Sequence, residues 1–302
     1  METFADQLTR RIGECGNPVC VGLDPRWEQL PSSLREGVEE KSREAVALAF
    51  ERFCIEIMDV VADLVPVVKP QMAFFEQLGP AGMVALHHVV SAASQRGLLV
   101  VLDGKRNDIG STAEAYADAY LGSREQSPWG ADALTVSPYL GADSLAPFVS
   151  KAVERHAGIF VLVKTSNPGS GHLQDLLAAD ATIYQHVGRW LESANQENLG
   201  QSGYGPVGAV AGATHPEQLA EIRALCPHSI LLVPGYGAQG GGAAEVAAAF
   251  DDQGTGAIIN SSRGIIFAHR TEPYRERFGE GQWQRAVEAA TRDMIAALRD
   301  VR

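Results

Sequence analysis

Gly97-Leu98-Leu99-Val100-Val101-Leu102-Asp103-Gly104-Lys105-Arg106-Asn107-Asp108 is an apolar run that breaks off into alternating acid and base. Leu and Val at consecutive positions, with no polar residue between them, describe a strand buried on both faces. Asp103 and Lys105 are two apart, so on a strand their side chains share a face. A buried strand rarely ends in a carboxylate beside an ammonium unless the pair has a use. A strand-end salt bridge, with Asp108 capping the next helix, would account for this segment alone. The rest of the chain decides between that account and a reactive centre.

Seven more runs of the same kind flank this one: Val19–Leu23, Leu64–Val68, Ala133–Val136, Ile159–Val163, Val207–Ala211, Ile230–Val233 and Ala257–Ile259. Amphipathic stretches lie between most of them: Glu40–Met58, Ala81–Ser94, Asp108–Tyr120, Ala142–His156, Ala181–Asn195, Pro216–Leu225 and Ala243–Phe250, with Trp283–Leu298 last. Thr214 reads as an N-cap, with Pro216 near the first helical position. Eight strands alternating with helices predict an α/β chain folded as one (β/α)8 TIM barrel over residues 1–302. Surplus chain falls near 27–39 and 167–205, and the second segment is polar enough to hold a mobile loop. A doubly wound open sheet is the alternative, and the strand count disfavours it.

With 302 residues, 45% hydrophobic and 21% charged, the chain has material for a sizeable core. Its 25 basic and 37 acidic residues give a net charge of −12, with no basic stripe, which argues against nucleic-acid binding. Cys15, Cys20, Cys54 and Cys226 match no zinc spacing and no CxxC, and read as thiols of a reducing compartment. Met-Glu-Thr-Phe-Ala-Asp has none of the order of a signal peptide, and no apolar run reaches membrane-spanning length. A cytoplasmic protein with no membrane association is expected.

Active sites of such barrels lie at the C-terminal ends of the strands. There the chain places Asp24, then Lys69-Pro70-Gln71, then Asp103 and Lys105, then Ser137-Pro138-Tyr139, then Lys164-Thr165-Ser166-Asn167. Adjacent strands are about 4.8 Å apart, so Asp24, Lys69, Asp103 and Lys105 form one charged row at the mouth. Each has a bland account singly, but four on three consecutive strand ends are harder to dismiss. A lysine between carboxylates stays protonated, which suits a proton donor better than a Schiff-base nucleophile. Across the mouth, the seventh strand runs into Gly235-Tyr-Gly237-Ala-Gln239-Gly240-Gly-Gly, and Arg263 follows the eighth. Exposed backbone N–H groups ahead of a helix, with a planar cation beside them, make a phosphate site.

Gly235, Gly237 and Gly240 also satisfy GxGxxG, but the dinucleotide pattern needs an acid after the next strand. Here Asp251-Asp252 ends the helix before that strand begins, so a Rossmann reading fails. No HExxH, no paired histidines at metal spacing and no Ser-His-Asp set is apparent. Asp103 and Asp108 could hold Mg2+, but Lys69 and Lys105 would occupy the same space.

Asp103-Gly-Lys105-Arg-Asn-Asp108-Ile109-Gly-Ser-Thr112 resembles the DxKxxDIxxT signature of the orotidine 5′-phosphate decarboxylases. The likeness extends to Val21-Gly22-Leu23-Asp24-Pro25, Val68-Lys69-Pro70, the glycine loop and Arg263. Lys69-Pro70-Gln71 and Val136-Ser137-Pro138-Tyr139-Leu140-Gly141 are similar to the longer bacterial subgroup. DxKxxD also occurs in Mg2+-dependent sugar-phosphate decarboxylases and synthases of the same barrel group, and Lys69 favours the orotidine enzyme.

The resemblance implies conversion of orotidine 5′-phosphate to uridine 5′-phosphate, the last step of de novo pyrimidine nucleotide synthesis, with no cofactor and no metal. It implies Lys69, Asp103, Lys105 and Asp108 as catalytic groups, in a homodimer where Asp108 and Thr112 reach the partner's site. Asp24 would bind a ribose hydroxyl, and Ser137 would face the pyrimidine. Asn167 would help close a loop, while Gly235, Gly237, Gln239, Gly240 and Arg263 would hold the phosphate. A non-catalytic phosphate-binding barrel is the remaining alternative, and the intact charged set argues against it.

Overall fold

The computed structural model describes residues 2–237 and 241–301. Eight parallel strands close into a barrel: β1 (Val19–Leu23), β2 (Val67–Pro70), β3 (Leu99–Arg106), β4 (Ala133–Val136), β5 (Gly158–Lys164), β6 (Val207–Ala211), β7 (Leu231–Val233) and β8 (Ala257–Ser261). Each pairs with its neighbour in sequence, and β8 returns to β1 with Val19 opposite Ile259. That last pairing excludes the open-sheet alternative. All eight overlap the apolar runs, because strands covered by helices outside and side chains inside have no polar face to show; β2 shares only Val67 and Val68 with its run, and β3 extends past its own to Arg106.

The main helices are α1 (Phe4–Cys15), α2 (Arg43–Val61), α3 (Pro80–Gln95), α4 (Gly110–Tyr120), α5 (Ala142–Arg155), α6 (Ile183–Gln196), α7 (Pro216–Leu225) and α8 (Trp283–Arg299). Helix α2 starts three residues later than its apolar spacing suggests, because Ser42 caps it by accepting from the Ala45 N–H at 3.2 Å. The 181–195 stretch likewise gives up its first two residues. Ala181–Thr182 pairs with Leu177–Ala178 in a two-stranded hairpin, and Thr182 with Gln185 forms the capping box of α6. Ala243–Phe250 is a short α-helix, Ala243–Val246, continued by a 3-10 turn over Ala247–Ala249. Among the described residues no helix is long and apolar enough to cross a membrane.

Helix α1 is unanticipated by the strand–helix count. Thr3 and Asp6 form its capping box, and Gly16 closes it in a left-handed conformation. Its apolar face, Phe4, Leu8 and Ile12, packs with the inward side chains of the strands, including Cys20, Val67, Phe160 and Ile258. The Phe4 ring meets the Phe160 ring edge-on at 6.0 Å. This helix therefore stoppers one end of the barrel and leaves the strand C-termini as its open mouth. Two excursions flank that mouth. One runs from Trp27 through the short helix Ser32–Arg35, and the other, between β5 and α6, carries the short helix Gly171–Gln174 and the hairpin.

Three of the four cysteines are buried, Cys15 is half-buried, and all are free thiols. Burial pushes the Cys20 thiol, inside the barrel, up to about 12. That leaves it protonated and inert at neutral pH.

Candidate active site

The centre of the mouth is a single carboxylate with four donors. Asp103 Oδ2 accepts from Lys69 Nζ at 2.6 Å and from Gln71 Nε2 at 2.9 Å. Its Oδ1 accepts from Lys105 Nζ at 2.6 Å and from the Thr135 hydroxyl at 2.9 Å. Asp103 and Lys69 are only 7% and 4% exposed, whereas the Lys105 side chain is about half-exposed. Burial alone would raise the Asp103 carboxyl, but the ammonium groups of Lys69 and Lys105 outweigh it and hold it far below the usual carboxylate range. Burial would likewise depress the Lys69 ammonium. Asp103, with Asp24 behind it, outweighs that and raises it above the ordinary lysine value. The array is thus a dry carboxylate locked between two cations, one buried and one reaching into open space.

Local backbone chemistry makes this convergence possible. Between Leu102 and Arg106 the β3–β4 register slips, so Thr135 alone stands opposite Asp103, Gly104 and Lys105. Lys105 has φ +45°, the left-handed region that a lysine seldom adopts. Asp103 and Lys105 share a face as anticipated, but through a bulge rather than through simple alternation. Gly104 is packed under Met72, and a Cβ there would lie 2.6 Å from its sulfur. Gly22, opposite Lys69 on β1, has the same role, since a Cβ would overlap the Ser262 hydroxyl. Arg106, in the same charged segment, turns away from the mouth. Its guanidinium pairs with Glu76 and packs over the Tyr116 and Tyr120 rings, fastening the strand end to α4.

The other anticipated residues divide by position. Asp24 stands at the end of β1 with its Oδ1 buried and without a hydrogen-bond partner, an acceptor in search of a donor. Asn167 lines the mouth and accepts from the Thr165 hydroxyl at 2.6 Å. Ser137 follows β4, and its N–H bonds the Arg106 carbonyl. Arg263 opens the short helix Arg263–Ile266, exposed, and its guanidinium makes no hydrogen bond or ion pair with the described residues. Gly235 and Gly237 have φ of +99° and +75°, backbone that only glycine adopts at low cost. Gln239 and Gly240 lie outside the described residues.

Asp108 is not brought to the array within its own chain. Its Oδ1 accepts from the Ile109 N–H at 2.8 Å, at the approach to α4. Ile109, Gly110, Ser111 and Thr112 beyond it are exposed.

A cavity of about 420 Å3 opens over the array. Lys69, Asp103, Lys105 and Thr135 line it together with Thr165, Asn167 and Gln174, and Leu162, Val210 and Leu232 add apolar surface. A second cavity of about 470 Å3 meets the array from the side of Asp24, Arg26 and Gln71, so Asp103 and Lys105 line both. Gln71, Thr135 and Gln174 are additions to the anticipated set. Gln71 was readable, standing two residues after Lys69 and so on the same face. Thr135 had the weaker signal of one hydroxyl in an apolar strand, and Gln174 had none.

The described residues contain no group of three or more His, Cys, Asp or Glu side chains placed to hold a metal. Both Asp103 oxygens already accept from ammonium groups, so this set of side chains does not fit a divalent cation.

An α/β-barrel enzyme with a Lys–Asp–Lys array at the C-terminal mouth of its strands is the class that fold and site together define. Residues 17–275 match the model of the orotidine 5′-phosphate decarboxylase / HUMPS family, and the chain belongs to that family. It is 62% identical to an orotidine 5′-phosphate decarboxylase of Rhodopirellula baltica, over 99% of this chain and 100% of that one. It is 43% identical to that of Deinococcus radiodurans, over 88% and 90%. Among solved structures, a putative orotidine 5′-phosphate decarboxylase of Streptomyces avermitilis superposes with a TM-score of 0.81 at 35% identity, over 100% of this chain and 96% of that one. An OMP decarboxylase of Leishmania donovani gives 0.75 at 34%, over 99% and 100%.

Proposed function

We propose that the protein is a carboxy-lyase that converts orotidine 5′-phosphate to uridine 5′-phosphate and CO2. The observation that carries this reading is Asp103, held ionised by two ammonium groups at 2.6 Å on its two oxygens. Loss of CO2 from C6 of the pyrimidine breaks the C6–carboxylate bond and leaves the electron pair on C6, where delocalisation is poor. Fixed charge must therefore stabilise it. Lys105, the more exposed of the two lysines, would face C6, stabilise the developing charge and deliver the proton that completes uridine 5′-phosphate. Solvent then reprotonates Lys105. Asp103 aims Lys105 through the 2.6 Å ion pair, and Lys69 fixes Asp103.

Arg263 and the Gly235–Gly240 loop would hold the phosphate, far from the breaking bond, where binding energy can organise the site. Asp24, with its free acceptor, would take a ribose hydroxyl. Ser137 would lie toward the pyrimidine. The segment from Asp108 to Thr112, exposed from Ile109 onward, would enter the second cavity of a partner subunit, making the catalytic unit a homodimer.

Purified protein releasing CO2 from orotidine 5′-phosphate, undiminished by EDTA, is the direct test. No release, or loss on chelation, would sink the reading. Subunit sharing has its own test. Lys105→Ala and Asp108→Asn, each inactive alone, are unfolded and refolded together. If Asp108 serves the partner's site, half the sites in each mixed dimer are intact, and about a quarter of wild-type activity returns. No recovery would place Asp108 in its own subunit's site.

A further inference from the structure

Lys164 ends β5 fully buried, 1% exposed, and the charged array makes no contact with it. Its ammonium pairs with Asp175 Oδ1 at 2.6 Å and lies 5.8 Å from the centre of the Tyr184 ring. Asp175 belongs to the excursion between β5 and α6, immediately after the short helix Gly171–Gln174, and it also accepts from Gln218 Nε2 of α7 at 3.3 Å. The next residue on each side is bonded too. Gln174 Oε1 accepts from the Thr165 N–H at 3.0 Å, and Gln174 Nε2 donates to the Thr165 hydroxyl at 2.8 Å. That hydroxyl in turn donates to Asn167 Oδ1 at 2.6 Å. Residues 164–165 are thus stapled to 174–175, and Thr165, Asn167 and Gln174 line the cavity that Asp103 also lines.

Stability alone is a poor reason for this pair. Asp175 is 41% exposed on its side chain. Burying an ammonium against a half-solvated carboxylate gains little over an apolar residue. Fixing a register is the better-attested use of such pairs. We propose that Lys164–Asp175 is a positioning pair for substrate binding. It sets the excursion on the barrel so that Gln174 and Asn167 present their remaining amide N–H donors to the cavity. This rests on the cavity being the substrate site, and Lys164 and Asp175 act through Gln174 rather than on the substrate.

The test uses the full chain with orotidine 5′-phosphate as substrate and uridine 5′-phosphate as equilibrium ligand. Asp175→Asn should raise both KM and the Kd for uridine 5′-phosphate about tenfold, the scale on which outer partners tune a site, with kcat within about threefold. Asp175→Glu, which keeps the charge, should restore most of that loss. The double variant Asp175→Asn/Gln174→Ala should bind no worse than the weaker single variant, because both remove one linkage. If Asp175→Asn lowers the melting temperature but leaves KM and Kd within twofold, the pair is merely structural and the proposal falls. Additive losses in the double variant would also overturn it. Should Asp175→Asn not fold, Gln174→Ala, which leaves the buried pair in place, must still show the KM and Kd rise; an unchanged KM refutes the proposal. A wild type that neither decarboxylates nor binds the nucleotide would instead overturn the functional reading.

Discussion

Removing charge from the array should affect stability in an order that the hydrogen bonds dictate. Asp103→Asn takes away the carboxylate that neutralises Lys69, whose ammonium is 4% exposed and has only the charge of Asp24 behind it. Breaking a buried pair by deleting one member costs about 3–5 kcal/mol, because the survivor stays buried and uncompensated. Lys69→Met is milder. Asp103 keeps Gln71, Thr135 and Lys105 as donors, so about 1–3 kcal/mol is expected, the scale of a charged hydrogen bond. Replacing both by apolar residues, Lys69→Met with Asp103→Leu, removes the desolvation penalty itself. The Thr135 hydroxyl still accepts from the Lys105 backbone N–H, and Gln71 is half-buried, able to reach water. That variant should be inactive yet within about 1 kcal/mol of wild type, or above it. Urea unfolding at one fixed protomer concentration reads the order from midpoint and slope. An Asp103→Asn midpoint at or above wild type, or a double variant below both singles, would refute the account of the array as a stability liability kept for its chemistry.

Two further outcomes follow from the same physics. Burial lifts the Asp132 carboxyl, whose Oδ2 accepts from the Val100 N–H at 2.7 Å, to about 6. A carboxyl raised in the folded state binds its proton more tightly there, so stability falls as pH climbs from about 4 through 6 and the full penalty stands at pH 7. Asp132→Asn should therefore stabilise by about 1–2 kcal/mol at pH 7, with the gain vanishing near pH 4; a gain equal at both pH values would contradict this. At Lys105, with φ +45°, Gly is tolerated better than Ala. Lys105→Gly should be more stable than Lys105→Ala, by about 1 kcal/mol, although both lose the ion pair to Asp103. Equal melting temperatures would show that no left-handed strain resides there.

The eight strands were legible because a barrel strand is apolar on both sides, and a solid apolar run is the plainest signal a sequence carries. The charged ends were legible for the converse reason, since Lys69 and Asp103 have no business in such runs. Helix α1 was missed although Thr3, Asp6 and Gly16 mark its ends. It stands outside the strand–helix alternation that organised the reading. The bulge was not legible, because Gly104 signals a close approach without saying which way the register slips. Gln174 was out of reach, since its place follows from how a long excursion folds back on β5. Asp108 shows the limit differently. Its Oδ1 bonds the Ile109 N–H, away from the array, and the sharing between subunits proposed for it is not something the geometry of one chain can display.

The bulge explains why the centre is built on strand ends rather than on loops. In a regular strand, residues two apart are separated by about 6.6–6.8 Å along the axis, and each backbone N–H pairs with a backbone carbonyl of the neighbouring strand. The slip after Leu102 frees the Lys105 N–H, which bonds instead to the Thr135 hydroxyl at 2.9 Å. Thr135 therefore receives from Lys105 and gives to Asp103, one side chain of β4 fixing two of β3. With Lys69 and Gln71 arriving from β2, three adjacent strands converge on one carboxylate, and their spacing is held by the ladder register. The array is then held by the barrel's own ladder, which is what electrostatic stabilisation requires, since its value lies in dipoles and charges that need not reorganise. Thr165, Asn167 and Gln174 line the same cavity from an excursion whose attachment includes the pair Lys164–Asp175. On the proposed reading, substitutions in the excursion should move KM, and substitutions in the array should move kcat.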